Sequence, residues 1–87
     1  MRSGAEDRMD EIEIPKTGDF YDKVAEVSSL VITELYYRGC ESEELTDVPD
    51  AVLDLMRGKV PKKEIACKAG RFVLRIQNSK IKIEEAR

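Results

Sequence analysis

The stretch Ile65-Ala66-Cys67-Lys68-Ala69-Gly70-Arg71-Phe72-Val73-Leu74-Arg75-Ile76-Gln77-Asn78-Ser79-Lys80-Ile81-Lys82-Ile83 decides the fold. Its apolar residues recur at every second position, the period of a strand with one buried face. The alternation is interrupted at Ala69-Gly70 and at Asn78-Ser79, two dipeptides suited to tight hairpin turns. Three antiparallel strands follow, with Ile65, Cys67, Phe72, Leu74, Ile76, Ile81 and Ile83 on one face. The other face carries Lys68, Arg71, Arg75, Lys80 and Lys82, with Glu64, Ala66, Val73, Gln77 and Glu84 between them.

Upstream the period changes. Phe20, Val24, Val27, Val31 and Leu35 are spaced by three or four residues, which places them on one helical face. Tyr21, Ala25, Ser28, Ile32 and Tyr36 form a neighbouring row, so the buried arc is expected to reach about half the circumference. Asp19 suits the N-cap, Arg38 the negative C-terminal end, and Gly39 the left-handed stop. After the acidic connector Cys40 to Asp47, a second helix is expected near Pro49, capped by Thr46 or Asp47 and stopped by Gly58. Val48, Val52, Leu55 and Met56 would pack inward, with Asp50 and Asp54 facing out. Before the helices, Glu11-Ile12-Glu13-Ile14 alternates until Pro15 and Gly18, which reads as a short edge strand.

The expected class is therefore α+β, a single small domain of order β-α-α-β-β-β, with two helices packed on one face of an antiparallel sheet. Residues 10–87 form that domain, and residues 1–9 read as a flexible leader, with Met9 an alternative start of translation. At 87 residues the core is near the lower size for independent stability, which favours a protein partner or self-association. Asn and Gln occur once each and 38% of the residues are charged, a usage typical of proteins that work hot. The longest apolar run of the helical part, Leu30-Val31-Ile32, is far too short for a bilayer, and the N-terminus lacks the apolar run of a secretory signal. A cytoplasmic protein with no membrane partner is expected.

Charge is strongly segregated along the chain. Residues 1–56 hold five Lys or Arg and fifteen Asp or Glu, whereas residues 57–87 hold ten and three. Such polarity steers and orients partners even at a net charge of −3. The face carrying Lys68, Arg71, Arg75, Lys80 and Lys82 is the candidate site for a polyanion or an acidic protein partner. Phe72, the aromatic of the meander, falls on the opposite face, so no stacking platform for bases is expected there. On the polar side of the first helix, Leu30 and Tyr37 lie two turns apart among Lys23, Glu26 and Glu34, a candidate helix-mediated interface.

Residues suited to catalysis are scarce. Histidine is absent from the whole chain, which removes Cys-His and Ser-His nucleophile activation and any histidine-ligated metal. The five glycines are isolated, so there is neither a P-loop nor a dinucleotide fingerprint. Glu41, Glu43, Glu44, Asp47 and Asp50 are close in sequence but match no calcium loop. Cys40 and Cys67 have neither zinc nor redox spacing and are expected as two reduced thiols, with a disulfide the alternative in a hyperthermophile. No catalytic residue, cofactor or metal is assigned. The leading expectation is a non-catalytic protein-interaction module, a homodimer or a small accessory subunit of a larger intracellular assembly. The alternative is a nucleic-acid-binding accessory factor, its RNA or DNA held on the basic sheet face.

Overall fold

Asp19 adopts an extended conformation and accepts a hydrogen bond from the Tyr21 N–H at 3.0 Å, which starts helix α1 (Phe20–Tyr37). These features belong to a computed structural model that describes residues 10–86. The expected flexible leader, residues 1–9, lies outside the described residues. Helix α1 stops in a Schellman motif: the Cys40 N–H donates to the Leu35 carbonyl and the Gly39 N–H to the Tyr36 carbonyl, both at 3.0 Å. Helix α2 (Val48–Met56) ends the same way, Lys59 donating to Asp54 and Gly58 to Leu55. Asp47 occupies its N-cap position without a side-chain capping bond, and Pro49 lies in its first turn. The acidic connector between the helices is not irregular throughout; Ser42–Leu45 form a turn of 3-10 helix whose Leu45 is buried.

Four strands form one antiparallel sheet: β1 (Glu11–Glu13), β2 (Lys62–Cys67), β3 (Gly70–Gln77) and β4 (Lys80–Ala86). Their order in space is β1-β4-β3-β2, so the first strand crosses over to pair with the last. The chain thus has the expected α+β architecture, two helices and a four-stranded sheet in the order β-α-α-β-β-β. The β3–β4 turn is at Asn78-Ser79, both residues having positive φ as a type I′ hairpin requires. The β2–β3 turn falls one residue earlier than expected, at Lys68-Ala69, because Cys67 pairs with Gly70.

Ile12, Ile65, Phe72, Leu74, Ile81 and Ile83 from the sheet close the core with Val24, Val27, Val31 and Leu35 of α1 and Val48, Ala51, Val52 and Leu55 of α2. Truncating one of these buried side chains to alanine removes about 2 to 5 kcal/mol. Ile76 shares their parity but lies half exposed beyond the helices.

Two expectations for α1 are corrected. Its buried arc does not extend over the Tyr21 row: Tyr21 and Tyr36 are 60% and 58% exposed and Ala25 is exposed, leaving only Ser28 buried and Ile32 half-buried. The helix is tilted toward the other side instead, where Glu34, expected among the polar residues, is buried. Burial of that carboxylate follows from Arg38, whose Nε donates to Glu34 Oε2 at 2.8 Å while its Nη2 donates to Asp10 at 2.8 Å. The guanidinium also lies over the Phe72 ring, 6.0 Å from its centroid. Burial works against the Arg38 charge, but the hydrogen bonds and negative charges of Glu34 and Asp10 outweigh it and raise its pKa.

A further correction concerns the cysteines, which are not two free thiols. Cys40 and Cys67 form a disulfide that ties the end of α1 to the end of β2. The meander turns Cys67 toward the helices, and the Schellman motif delivers Cys40 to the same place.

Candidate interaction surfaces

The sheet's outer face can be built row by row from the strand register. One row reads Lys62, Arg75, Lys82, Glu11 across the four strands; the next reads Glu64, Val73, Glu84. Flanking rows add Ala66, Arg71 and Ala86 on one side and Gln77, Lys80 and Glu13 on the other. Arg71, Arg75, Lys80 and Lys82 are therefore brought together on one face, as expected. Lys68 is not among them, because it lies in the β2–β3 turn, where its backbone N–H donates to Glu44 Oε2 at 2.8 Å.

Carboxylates are interleaved with these cations. Arg75 Nε donates to Glu84 at 3.2 Å, Lys82 lies 3.9 Å from the same carboxylate, Arg71 3.9 Å from Glu64, and Lys80 3.6 Å from Glu11. Val73 lies at the centre of this face and is nevertheless buried. It is flanked across the strands by Glu64 and Glu84 and along its own strand by Arg71 and Arg75, long side chains whose aliphatic stems account for its burial. Glu11 and Glu13 come from the acidic part of the sequence, and their contribution here depends on the β1–β4 crossover, which period-two reading of the meander does not reveal. The face therefore presents alternating signs at contact range, and its attraction for a polyanion is weakened accordingly.

The outer side of α1 is different. From Ser29 to its C-terminus, the exposed residues are Ser29, Leu30, Thr33, Tyr36 and Tyr37, all uncharged. Leu30 and Tyr37, the pair singled out by spacing, are 37% and 79% exposed. Tyr36, expected in the core, joins them, and the two tyrosine rings meet edge to face with centroids 6.2 Å apart. Thr33 turns its hydroxyl back to the Ser29 carbonyl at 2.9 Å, so it presents its methyl group outward. In a chain that is 38% charged, an exposed helical face without charge over more than two turns stands apart.

Beside Leu30, a shallow open depression of about 660 Å³ runs along Glu11 to Lys16, with Glu26 and Lys80 completing its walls. Below the other end of α1, the Glu44 carboxylate accepts from the Glu41 N–H at 3.0 Å and from Lys68. These two bonds, that from Glu41 first, lower the Glu44 pKa. Among the described residues, no group of three or more His, Cys, Asp or Glu is arranged to hold a metal ion, and no helix is long and apolar enough to cross a membrane. No family model matches the chain, and neither a curated protein nor a solved structure matches it.

Proposed function

We propose that this chain is a non-catalytic protein-interaction module, a homodimer or a small accessory subunit of a larger assembly, which docks through the C-terminal half of α1. The observation that carries the reading is the uncharged, tyrosine-bearing face formed by Ser29, Leu30, Thr33, Tyr36 and Tyr37. Tyrosine supplies a large, rigid contact area with little side-chain entropy to lose, and it is enriched at the energetic centres of interfaces. Depletion of charge is the compositional mark of such centres. The alternative, a nucleic-acid-binding factor, draws on Arg71, Arg75, Lys80 and Lys82, but each of these has a carboxylate within 4 Å.

The test combines sedimentation of the purified protein with affinity purification from its source, for the native chain and for Tyr36→Ala with Tyr37→Ala. Self-association or a co-purifying protein that the double substitution abolishes supports the reading. A strict monomer at high concentration with no recovered partner overturns it. Nucleic acid recovered in salt-sensitive form, and lost on Arg71→Glu with Arg75→Glu, would favour the alternative instead.

Within the same reading the protein works in the cytoplasm of a heat-adapted organism. Intracellular disulfides persist in hyperthermophiles, and the scarcity of Asn and Gln points the same way as the Cys40–Cys67 bond. Alkylation of thiols during lysis, followed by mass spectrometry, tests this: two labelled cysteines in the native protein would contradict it.

A further inference from the structure

We infer that the outer edge of β1, which no other described strand covers, takes an extended segment of a partner protein, read as a basic, apolar, basic alternation. The inference rests on the interaction-module reading only in that Leu30 belongs to the contact surface. Strand β1 is at the end of the sheet, and among the described residues no strand pairs with its outer side. The depression of about 660 Å³ is lined by the chain from Glu11 to Lys16, by Glu26 and Leu30 of α1, and by Lys80 of the neighbouring β4. An edge strand facing a helix across a groove is the geometry in which an added strand gains main-chain hydrogen bonds and seats alternate side chains.

The chemistry of the occupant follows from the cross-strand rows. Glu11 and Glu13 stand on the outer face and Ile12 on the helix side, so an added strand places two side chains beside the carboxylates and one between Ile12 and Leu30. The inner neighbour of β1 already shows the matching pattern: Lys82, Ile81 and Lys80 pair with Glu11, Ile12 and Glu13 in turn. Among the described residues Glu13 and Glu26 have no cation within ion-pair distance, whereas Glu11 has Lys80. A second copy fits poorly by either of its edges. Its β1 would oppose Glu to Glu; its β2 would bring Lys63 toward Leu30 in the register that sets Lys62 beside a carboxylate, and would set Glu64 beside a carboxylate in the register that brings Ile65 there. The partner's segment therefore carries Lys or Arg on both sides of an aliphatic residue.

The probe is the blocked peptide Lys-Ile-Lys-Ile-Lys, titrated into the oxidised full-length protein and followed by NMR, with Glu-Ile-Glu-Ile-Glu as the opposing peptide. Saturable shifts are expected at the amides of Glu11 to Ile14 and at the Leu30 methyl groups, and none with the acidic peptide. Leu30→Asp and Glu13→Lys are each expected to weaken binding about tenfold. Tyr36→Ala with Tyr37→Ala should leave it unchanged, so failure here and failure of the tyrosine-face reading are separately visible. The proposal is overturned by absence of saturable shifts, by equal binding of both peptides, or by shifts confined elsewhere. It is also overturned if the outer-edge amides of β1 are already protected in the free protein: at every concentration when residues 1–9 cover them, or only at high concentration when a second copy does.

Discussion

Cys40 and Cys67 are joined with their Cα atoms 5.4 Å apart, one at the exit of α1 and the other at the last residue of β2. The bond closes a loop with a sequence separation of 27 that contains all of α2. By the chain-entropy model, a loop of this length stabilises the fold by about 3 to 4 kcal/mol. Cys40→Ala with Cys67→Ala should lower the denaturation midpoint by the corresponding amount, and reduction of the native chain should match it. Denaturant unfolding with and without reductant measures both. Identical curves would mean that the cross-link contributes nothing.

Gly39 is the second constraint at this junction. Its φ is +110°, and a Cβ added there would stand 2.9 Å from the Ala69 Cβ. Gly39→Ala should therefore destabilise by about 2 kcal/mol from backbone strain, and by more from the clash. Ala69→Gly should return the second part and not the first. The two variants and their combination, compared by thermal unfolding, separate space from conformation.

Glu44 gives the junction a pH dependence. Its pKa in the folded chain is below the ordinary 4.5, because the charged form accepts hydrogen bonds from the Glu41 and Lys68 backbone. A depressed acid contributes stability that is complete above the unfolded value and is lost as pH falls through the folded one. The Lys68 amide should consequently exchange faster as the pH is lowered below about 4.5. Glu44→Gln keeps an acceptor oxygen but cannot titrate, so its Lys68 exchange should lose this acid-dependent component, as hydrogen exchange corrected for intrinsic rates will show.

Arg38 answers to a different logic, since it exists to neutralise a buried carboxylate. The side chains of Arg38 and Glu34 are 9% and 11% exposed, whereas Asp10 is 63% exposed. Arg38→Ala should cost about 2 to 4 kcal/mol, mostly by leaving Glu34 charged and unpaired. Adding Glu34→Gln should recover about 1 kcal/mol of that loss. Asp10→Ala, at the exposed end of the network, should cost less than about 1 kcal/mol. Denaturant titration of the set checks the order.

Period and punctuation made the elements legible: the Val24–Leu35 spacing, most of the alternation from Ile65 to Ile83, and the glycines that end both helices behave as the sequence suggested, whereas Phe20 and Ile76, expected on the buried faces, are 36% and 37% exposed at the ends of their elements. The disulfide was legible only as the alternative to two reduced thiols, because no spacing rule links Cys40 to Cys67, and only the three-dimensional meeting of a helix end with a strand end brings them together. Likewise, the seating of α1 is settled by Arg38, which makes a buried Glu34 tolerable and so rolls Tyr36 outward. The Leu30–Tyr37 pair was visible by spacing, while its extension to Tyr36 depended on that roll. The basic strip was visible too. Its dilution was not, because Glu11 and Glu13 reach it from the other end of the chain.

That crossover of β1 onto β4 also bears on how the chain folds. Glu11 pairs with Lys82 across about 70 residues, the kind of contact whose loop closure is entropically dearest. In the unfolded chain the acidic and basic ends of the sequence attract one another, which favours compact conformations in which β1 lies near its slot. Salt screens this attraction, so refolding should slow as ionic strength rises, and reversing Glu11 and Glu13 to lysine should weaken that dependence in stopped-flow measurements. The segregated charge thus acts in the search for the fold, and the finished sheet face, with its signs interleaved, is where that attraction has been used up.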